Sequence, residues 1–343
     1  MCMLTVHRVP RSITTRLHVL PLVSKRWARI MRTSAEVWQE ACLDLRDVLM
    51  GPAMQRLPLD SAAMADWFQA RAGRFKQLGL RSTHADLQLR PAMTSMLLST
   101  QAVSLTNLSI EVETYGLIGS DLGILAAMKG LQALDVHVDQ LGLDDRGAAL
   151  LQTVARLTAL TMLEVGYFED EEIAPANIKM PRCLELAELR TTSLQNLSVA
   201  VSGGTGDVLR LSGVPHLRTC HLLADNRSNT EFRVDSSSFA GCTKLVELTL
   251  HELRKLSLQP GCFAALPALS SLTLADCDLL VVPSAIAPLT TLRILNLSEN
   301  ARLCIDEAGL ELLATMGSLQ TWTWRNLSQP CTPQSTCRLC LTW

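Results

Sequence analysis

Leucines return along this chain in one phrase, Leu-x-x-Leu-x-Leu, with polar residues between them. The phrase reads Leu269-Leu272-Leu274 and then Leu292-Leu295-Leu297, about 23 residues further on. Copies upstream are Leu245-Leu248-Leu250, Leu217-Cys220-Leu222, Leu194-Leu197-Val199, Leu160-Leu163-Val165, Leu131-Leu134-Val136 and Leu105-Leu108-Ile110. Alternation within each copy predicts a short strand with one buried face. A unit of this length cannot bury that face alone, so the copies must stack on one another.

The segments between copies support this reading. After Leu274, Cys277 sits where the chain must bend, and Asn300 takes the same place after Leu297. An inward Asn or Cys there can satisfy backbone groups that the bend would otherwise bury unpaired. Leu279, Val282-Pro283, Ile286 and Leu289 are spaced to carry the chain back. Phe239 and Phe263 place a large apolar plug in two other return segments. Together these features resemble leucine-rich repeats. The resemblance implies an α/β solenoid of horseshoe form with a parallel concave sheet. The interval from Leu160 to Leu194 is too long for one repeat. Either Leu186-Leu189 marks a degenerate strand, or acidic Glu169-Asp170-Glu171-Glu172 belongs to an inserted loop. Leu319-Trp322-Trp324 fits the spacing with Trp for Leu, as in a capping repeat.

Residues between the leucines point to the other face of each strand. That face is expected to bind a partner, with Glu111, Asp135, His137, Glu164, Tyr167, His221, Glu247 and His251 as candidate contacts. Its N-terminal half is acidic with scattered His, and its C-terminal half is small and hydroxylated. Asn107, Ser109, Met162, Asn196, Ser198, Thr219, Thr249, Ser271, Thr273, Asn296, Thr321, Thr323 and Arg325 complete it. The alternative is a merely solvated sheet face.

The N-terminus does not repeat. Leu17, Leu20, Val23, Trp27 and Ile30 recur at steps of three and four, which predicts an amphipathic helix. Ser34 is placed to cap a second short helix carrying Val37, Trp38 and Leu43. So small a helical unit has little core, and a docked partner would supply more. Leu22-Val23-Ser24-Lys25-Arg26-Trp27, Val37-Trp38 and Leu43-Asp44-Leu45 resemble the second half of an F-box. The resemblance implies binding to Skp1 of a cullin ubiquitin ligase, with the repeats holding a substrate. Leu17, Leu20, Val23, Trp27, Ile30 and Trp38 then build or present the Skp1-facing helices. The family's first helix opens with Leu-Pro and acidic residues, and here that place falls at or before Met1. Either a start lies upstream or the F-box is degenerate. The competing reading is a plain helical cap over the first strand. Asp60-Ser61 starts a further helix, with Met64, Trp67, Phe68 and Ala72 on one face. It leads to Phe75-Leu78-Leu80 as the first repeat strand.

Composition narrows the function. The chain has 343 residues, 48% hydrophobic but only 4% aromatic, which suits a core of stacked aliphatic residues. A net charge of −2 gives no bulk attraction to nucleic acid. The apolar stretch Leu279–Leu289 is broken by Pro283 and Pro288 and is too short to span a bilayer. Arg8, Arg11, Arg16, Lys25, Arg26, Arg29 and Arg32 precede the first acid, Glu36, a pattern also found in transit peptides. No compact secretory signal is legible, so the 11 cysteines are expected as reduced thiols, and the Asn-x-Ser sequons as silent.

No catalytic pattern emerges. Gly203-Gly204-Thr205-Gly206 lacks the Lys-Ser/Thr of a phosphate loop and reads as a turn. His251-Glu252 lacks the second His of a zinc peptidase. Cys331, Cys337 and Cys340 lack a fourth zinc ligand. Neither enzyme activity nor a cofactor nor a metal is expected.

The expected organisation is an F-box-like helical segment over 1–46, a linking helix over 47–75, repeats over 76–328 and a Cys-containing tail over 329–343. The expected role is a Skp1–cullin substrate adaptor acting on an unknown protein, in cytoplasm or nucleus, with no nucleic-acid or membrane partner. The alternative is a non-ligase scaffold of cytoplasm or axoneme. A secreted receptor would instead need a signal peptide and paired cysteines.

Overall fold

A computed structural model describes residues 40–44, 75–82, 104–112, 119–138, 146–166, 186–187, 189–201, 207–211, 213–224 and 231–324. The chain forms two compact units. One comprises Met1–Arg146 and Gly166–Ile178, the other Gly147–Val165 and Lys179–Trp343.

In the first unit, β1 (Glu40–Asp44), β2 (Gln77–Ser82), β3 (Asn107–Val112) and β4 (Ala133–Val138) lie side by side in that order, all parallel. The register aligns Leu78 with Leu108 and Leu134, and Ile110 with Val136. These leucines are buried, as are Phe75, Leu105 and Leu131. Helix α1 (Gly119–Ala127) is the return segment between β3 and β4, and buries Leu125. Two expectations change here. Glu40–Asp44 is a strand, so Leu43 does not belong to the expected second helix. The Phe75-Leu78-Leu80 strand pairs with this earlier one, so it is not the first. The linking helix, like residues 1–39, lies outside the described residues.

The second unit includes helix α2 (Arg146–Val154) from Gly147 onward, and this helix buries Leu150, Leu151 and Val154. Its main sheet runs β5 (Met162–Gly166), β6 (Asn196–Val201), β8 (Thr219–Ala224), β10 (Glu247–His251), β12 (Ser271–Ala275), β13 (Ile294–Asn296) and β14 (Thr321–Thr323). A second parallel sheet on the return side joins β7 (Asp207–Val208), β9 (Phe232–Val234) and β11 (Ser257–Leu258). Helix α3 (Glu307–Thr315) precedes β14, its N-terminus capped by Asp306 Oδ1 accepting from Gly309 N at 2.8 Å.

The main sheet lines its leucines up across strands. Leu163 pairs with Leu197, then Cys220, Leu248, Leu272, Leu295 and Trp322. The next inward row runs Val165, Val199, Leu222, Leu250 and Leu274. All of these except Trp322 are essentially inaccessible to solvent. Phe239 and Phe263 fill the space behind the strands, ring centres 6.2 Å apart. The parallel strands, their repeating apolar rows and the return segments make this unit a leucine-rich-repeat solenoid.

Each strand begins in the same way. The amides of Arg218 and Thr219 both donate to Gln195 O, those of Val246 and Glu247 to Arg218 O, and those of Ser270 and Ser271 to Val246 O. Arg293 and Ile294 repeat this on Ser270 O, and Gln320 and Thr321 on Arg293 O. Just before, the first leucine of each phrase closes a tight turn. Leu245 N donates to Cys242 O, Leu269 N to Leu266 O and Leu292 N to Leu289 O. Leu189 N closes the same kind of turn on Leu186 O. Both residues are buried, and β5 pairs directly with β6, so Leu186-Leu189 is no strand. The acidic segment 169–172 lies outside the described residues.

Asn300 has the bending role expected of it. Its Oδ1 accepts from Cys277 N at 2.9 Å and Leu279 N at 3.1 Å, while its Nδ2 donates to Leu274 O at 2.7 Å and Leu297 O at 2.9 Å. It is fully buried. Cys277, one repeat earlier, makes only weaker contacts, its thiol donating to Leu250 O and Ala275 O at 3.3 Å each. One repeat earlier still, Leu253 fills the place by packing alone.

The buried thiols behave as small apolar plugs. Burial pushes Cys242 up to about 11 and Cys262 and Cys277 up to about 12, and raises Cys220 further, with the nearby Cys242 adding to it.

Two outcomes are expected. Asn300→Ala strands two buried amides and the carbonyls that Nδ2 served. Urea unfolding should show a loss of about 3 kcal/mol. The thiols should resist iodoacetamide in the folded chain, while exposed Cys304 reacts, as peptide mass spectrometry can read. Unfolding returns these thiols to an ordinary value of 9.0. The unfolded chain therefore releases protons that the folded chain retains. Their contribution to stability is full below about pH 9 and is lost as pH rises above it. The melting temperature should fall correspondingly.

Candidate functional site

The candidate site is the face of the sheet opposite the leucines. In the second unit its first row reads Met162, Asn196, Thr219, Glu247, Ser271, Ile294 and Thr321 across neighbouring strands. A second row reads Glu164, Ser198, His221, Thr249, Thr273, Asn296 and Thr323. A third holds Ala200, Leu223, His251 and Ala275. Neighbouring positions across a parallel sheet lie about 4.8 Å apart, so small side chains give an even floor.

Several of these side chains hold one another. Thr219 Oγ1 donates to Asn196 Oδ1 at 2.6 Å, and Thr323 Oγ1 to Asn296 Oδ1 at 2.8 Å. The Asn296 carboxamide oxygen also accepts from Ser298 N at 2.9 Å. These bonds tie neighbouring strands on the exposed side, as the leucine rows tie them on the inner side. They also leave the two Asn sequon side chains engaged within the sheet.

The candidate contacts fall into separate places. His221 sits mid-face between Ser198 and Thr249. Glu247 and His251 lie on the same strand, four residues apart and on the same face. His251 Nδ1 is 3.4 Å from Glu252 Oε1, and its Nε2 is 3.9 Å from Glu299 Oε2. Its register neighbour toward Glu299 is Ala275, whose small side chain leaves that path open. Glu164 is half-buried on β5.

In the first unit, Asp135 and His137 share one face of β4. Ser109 Oγ donates to Asp135 Oδ2 at 2.9 Å. His137 Nδ1 lies 2.6 Å from Asp135 Oδ1, yet neither atom is placed to form a hydrogen bond there. The contact is therefore a close approach of polar atoms, not a well-aligned bond. The serine bonds to the carboxylate rather than to the imidazole, which is not how a base activates a nucleophile. Glu111 lies on β3 in register with His137. Tyr167 and Arg325 lie outside the described residues, as do the Skp1 candidates Leu17, Leu20, Val23, Trp27, Ile30 and Trp38. The glycine run 203–206 and Cys331, Cys337 and Cys340 lie outside them too.

Ile294 went unread in the sequence, although it is 48% exposed in the first row beside Ser271. The signal was present, since it occupies the outward place between Leu292 and Leu295. Met162, anticipated on this face, is 40% exposed at the opposite end of the row. Of the third row only His251 is anticipated by the sequence; Ala200, Leu223 and Ala275 are not, because they lie beyond the last leucine of each phrase.

Beyond β10, β12 and β13 the backbone turns through a left-handed residue. Glu252, Asp276 and Glu299 have φ of 58°, 49° and 62°, each just before the inward Leu253, Cys277 or Asn300. Such a conformation costs a non-glycine residue about 1 kcal/mol or more. Among the described residues no group of His, Cys, Asp and Glu is arranged to hold a metal, and no helix is long and apolar enough to cross a membrane.

No family model matches the chain, and no curated protein matches it. Among solved structures, an internalin of Listeria monocytogenes is 15% identical, with 74% of this chain and 69% of that chain covered and a TM-score of 0.45. A TLR13–ssRNA13 complex is 17% identical over 87% of this chain and 45% of that one, with a TM-score of 0.47. A leucine-rich-repeat protein of Leptospira interrogans is 16% identical, covering 74% of each chain, with a TM-score of 0.35. The chain thus spans less than half the length of the TLR13 chain. The fold assignment stands on the repeat geometry of the chain itself.

A paired substitution separates face from core. Thr273→Lys on the open face should change stability by less than about 0.5 kcal/mol. Leu272→Ala, one residue away and fully buried, should cost about 3 kcal/mol. Urea unfolding of both variants checks the assignment of the two sides.

Proposed function

We propose that the chain is a non-catalytic protein-interaction module that holds a partner against the open face of its repeats. The observation that carries this is the face itself. Aligned rows of outward polar side chains, with exposed Met162 and Ile294 among them, stand on a rigid floor of buried leucines. Mixed polar and apolar contacts on a fixed support are what a protein partner needs. Among the described outward positions of the second unit's main sheet there is no Lys or Arg. That weighs against a phosphate backbone as the occupant, since binding it draws on cationic side chains.

The finer reading is a substrate adaptor of a Skp1–cullin ubiquitin ligase. It rests on the sequence from Leu22 to Trp27, with Val37-Trp38 and Leu43-Asp44-Leu45, which resembles part of an F-box. In this reading the N-terminal segment binds Skp1, and the repeats deliver a protein substrate. The strand at Glu40–Asp44 falls at the end of that segment, over its Leu43-Asp44 motif, and joins the first unit's sheet. A docked Skp1 would therefore be coupled to the sheet with little intervening chain. The second reading, a scaffold without a ligase, keeps the open face and drops Skp1.

The two separate in a pull-down of the full chain with purified Skp1. The adaptor reading expects capture, and at least about a tenfold loss on Trp27→Ala if that side chain lies at the centre of the contact. A folded chain that fails to capture Skp1, in this form and in one extended to any upstream in-frame start, overturns the adaptor reading. In that case Thr273→Lys should still weaken binding of whatever protein the open face holds.

A further inference from the structure

We draw no further inference here: the strongest candidate, the acidic row Glu252, Asp276 and Glu299 at the ends of three strands of the second unit, is a cluster of carboxylates with no second feature among the described residues that points to a ligand, and His251 already reaches two of its members.

Discussion

One backbone carbonyl before each strand receives two successive amides from the next turn of chain. Gln195 O, Arg218 O, Val246 O, Ser270 O and Arg293 O all do this. The rest of the second unit depends on that junction. It fixes where the next strand starts, and so which residues face inward. Because side chains alternate along a strand, a slip of one residue would place Ser271 and Thr273 inside and Leu272 and Leu274 outside. The junction also sets the spacing of the outward rows, on which any binding by the face depends.

Inside that frame, local chemistry varies while the geometry repeats. The place after the strand is filled by Leu253, Cys277 or Asn300, and each solves the bend differently. The core rows admit Cys220 among leucines, and end in Trp322 where the described stack stops. The return side uses a short sheet at β7, β9 and β11, a 3₁₀ turn at Ser284–Ile286, and a helix at Glu307–Thr315. Nearest-neighbour stacking tolerates such variety because each repeat needs to fit only the next.

This explains what was legible in the sequence. The main-sheet strands from Leu105 onward were, because their leucines are spaced by a local period that stacking requires; the short return-side strands β7, β9 and β11 carry no such period and were not. Asn300 and Cys277 were legible for the same reason. Glu40–Asp44 was not, because its strand state comes from pairing with Gln77–Ser82, far along the chain. Its neighbours Val37 and Trp38 carry helical spacing and masked it. Leu186 and Leu189 look like strand leucines, yet they belong to the turn before Leu194. The open face was legible as alternating positions. Its internal bonds were not: Thr219 to Asn196 and Thr323 to Asn296 depend on cross-strand register, which one strand's sequence does not contain.

Asn300 sews two turns of the chain together through five hydrogen bonds, one of them to Ser298 O at 3.2 Å. Cys277 offers two long ones, and Leu253 none from its side chain. In mechanical terms the stack is reinforced unevenly. Polar bonds have a preferred direction and resist shear, whereas apolar contact is nearly indifferent to a small slide. Between β10 and β13 the unit therefore stiffens step by step toward its C-terminal side. At the turn around Leu253 the side chain adds no bond of its own, and the tie to the next turn of chain rests on backbone bonds such as Glu252 N donating to Ala275 O at 3.1 Å.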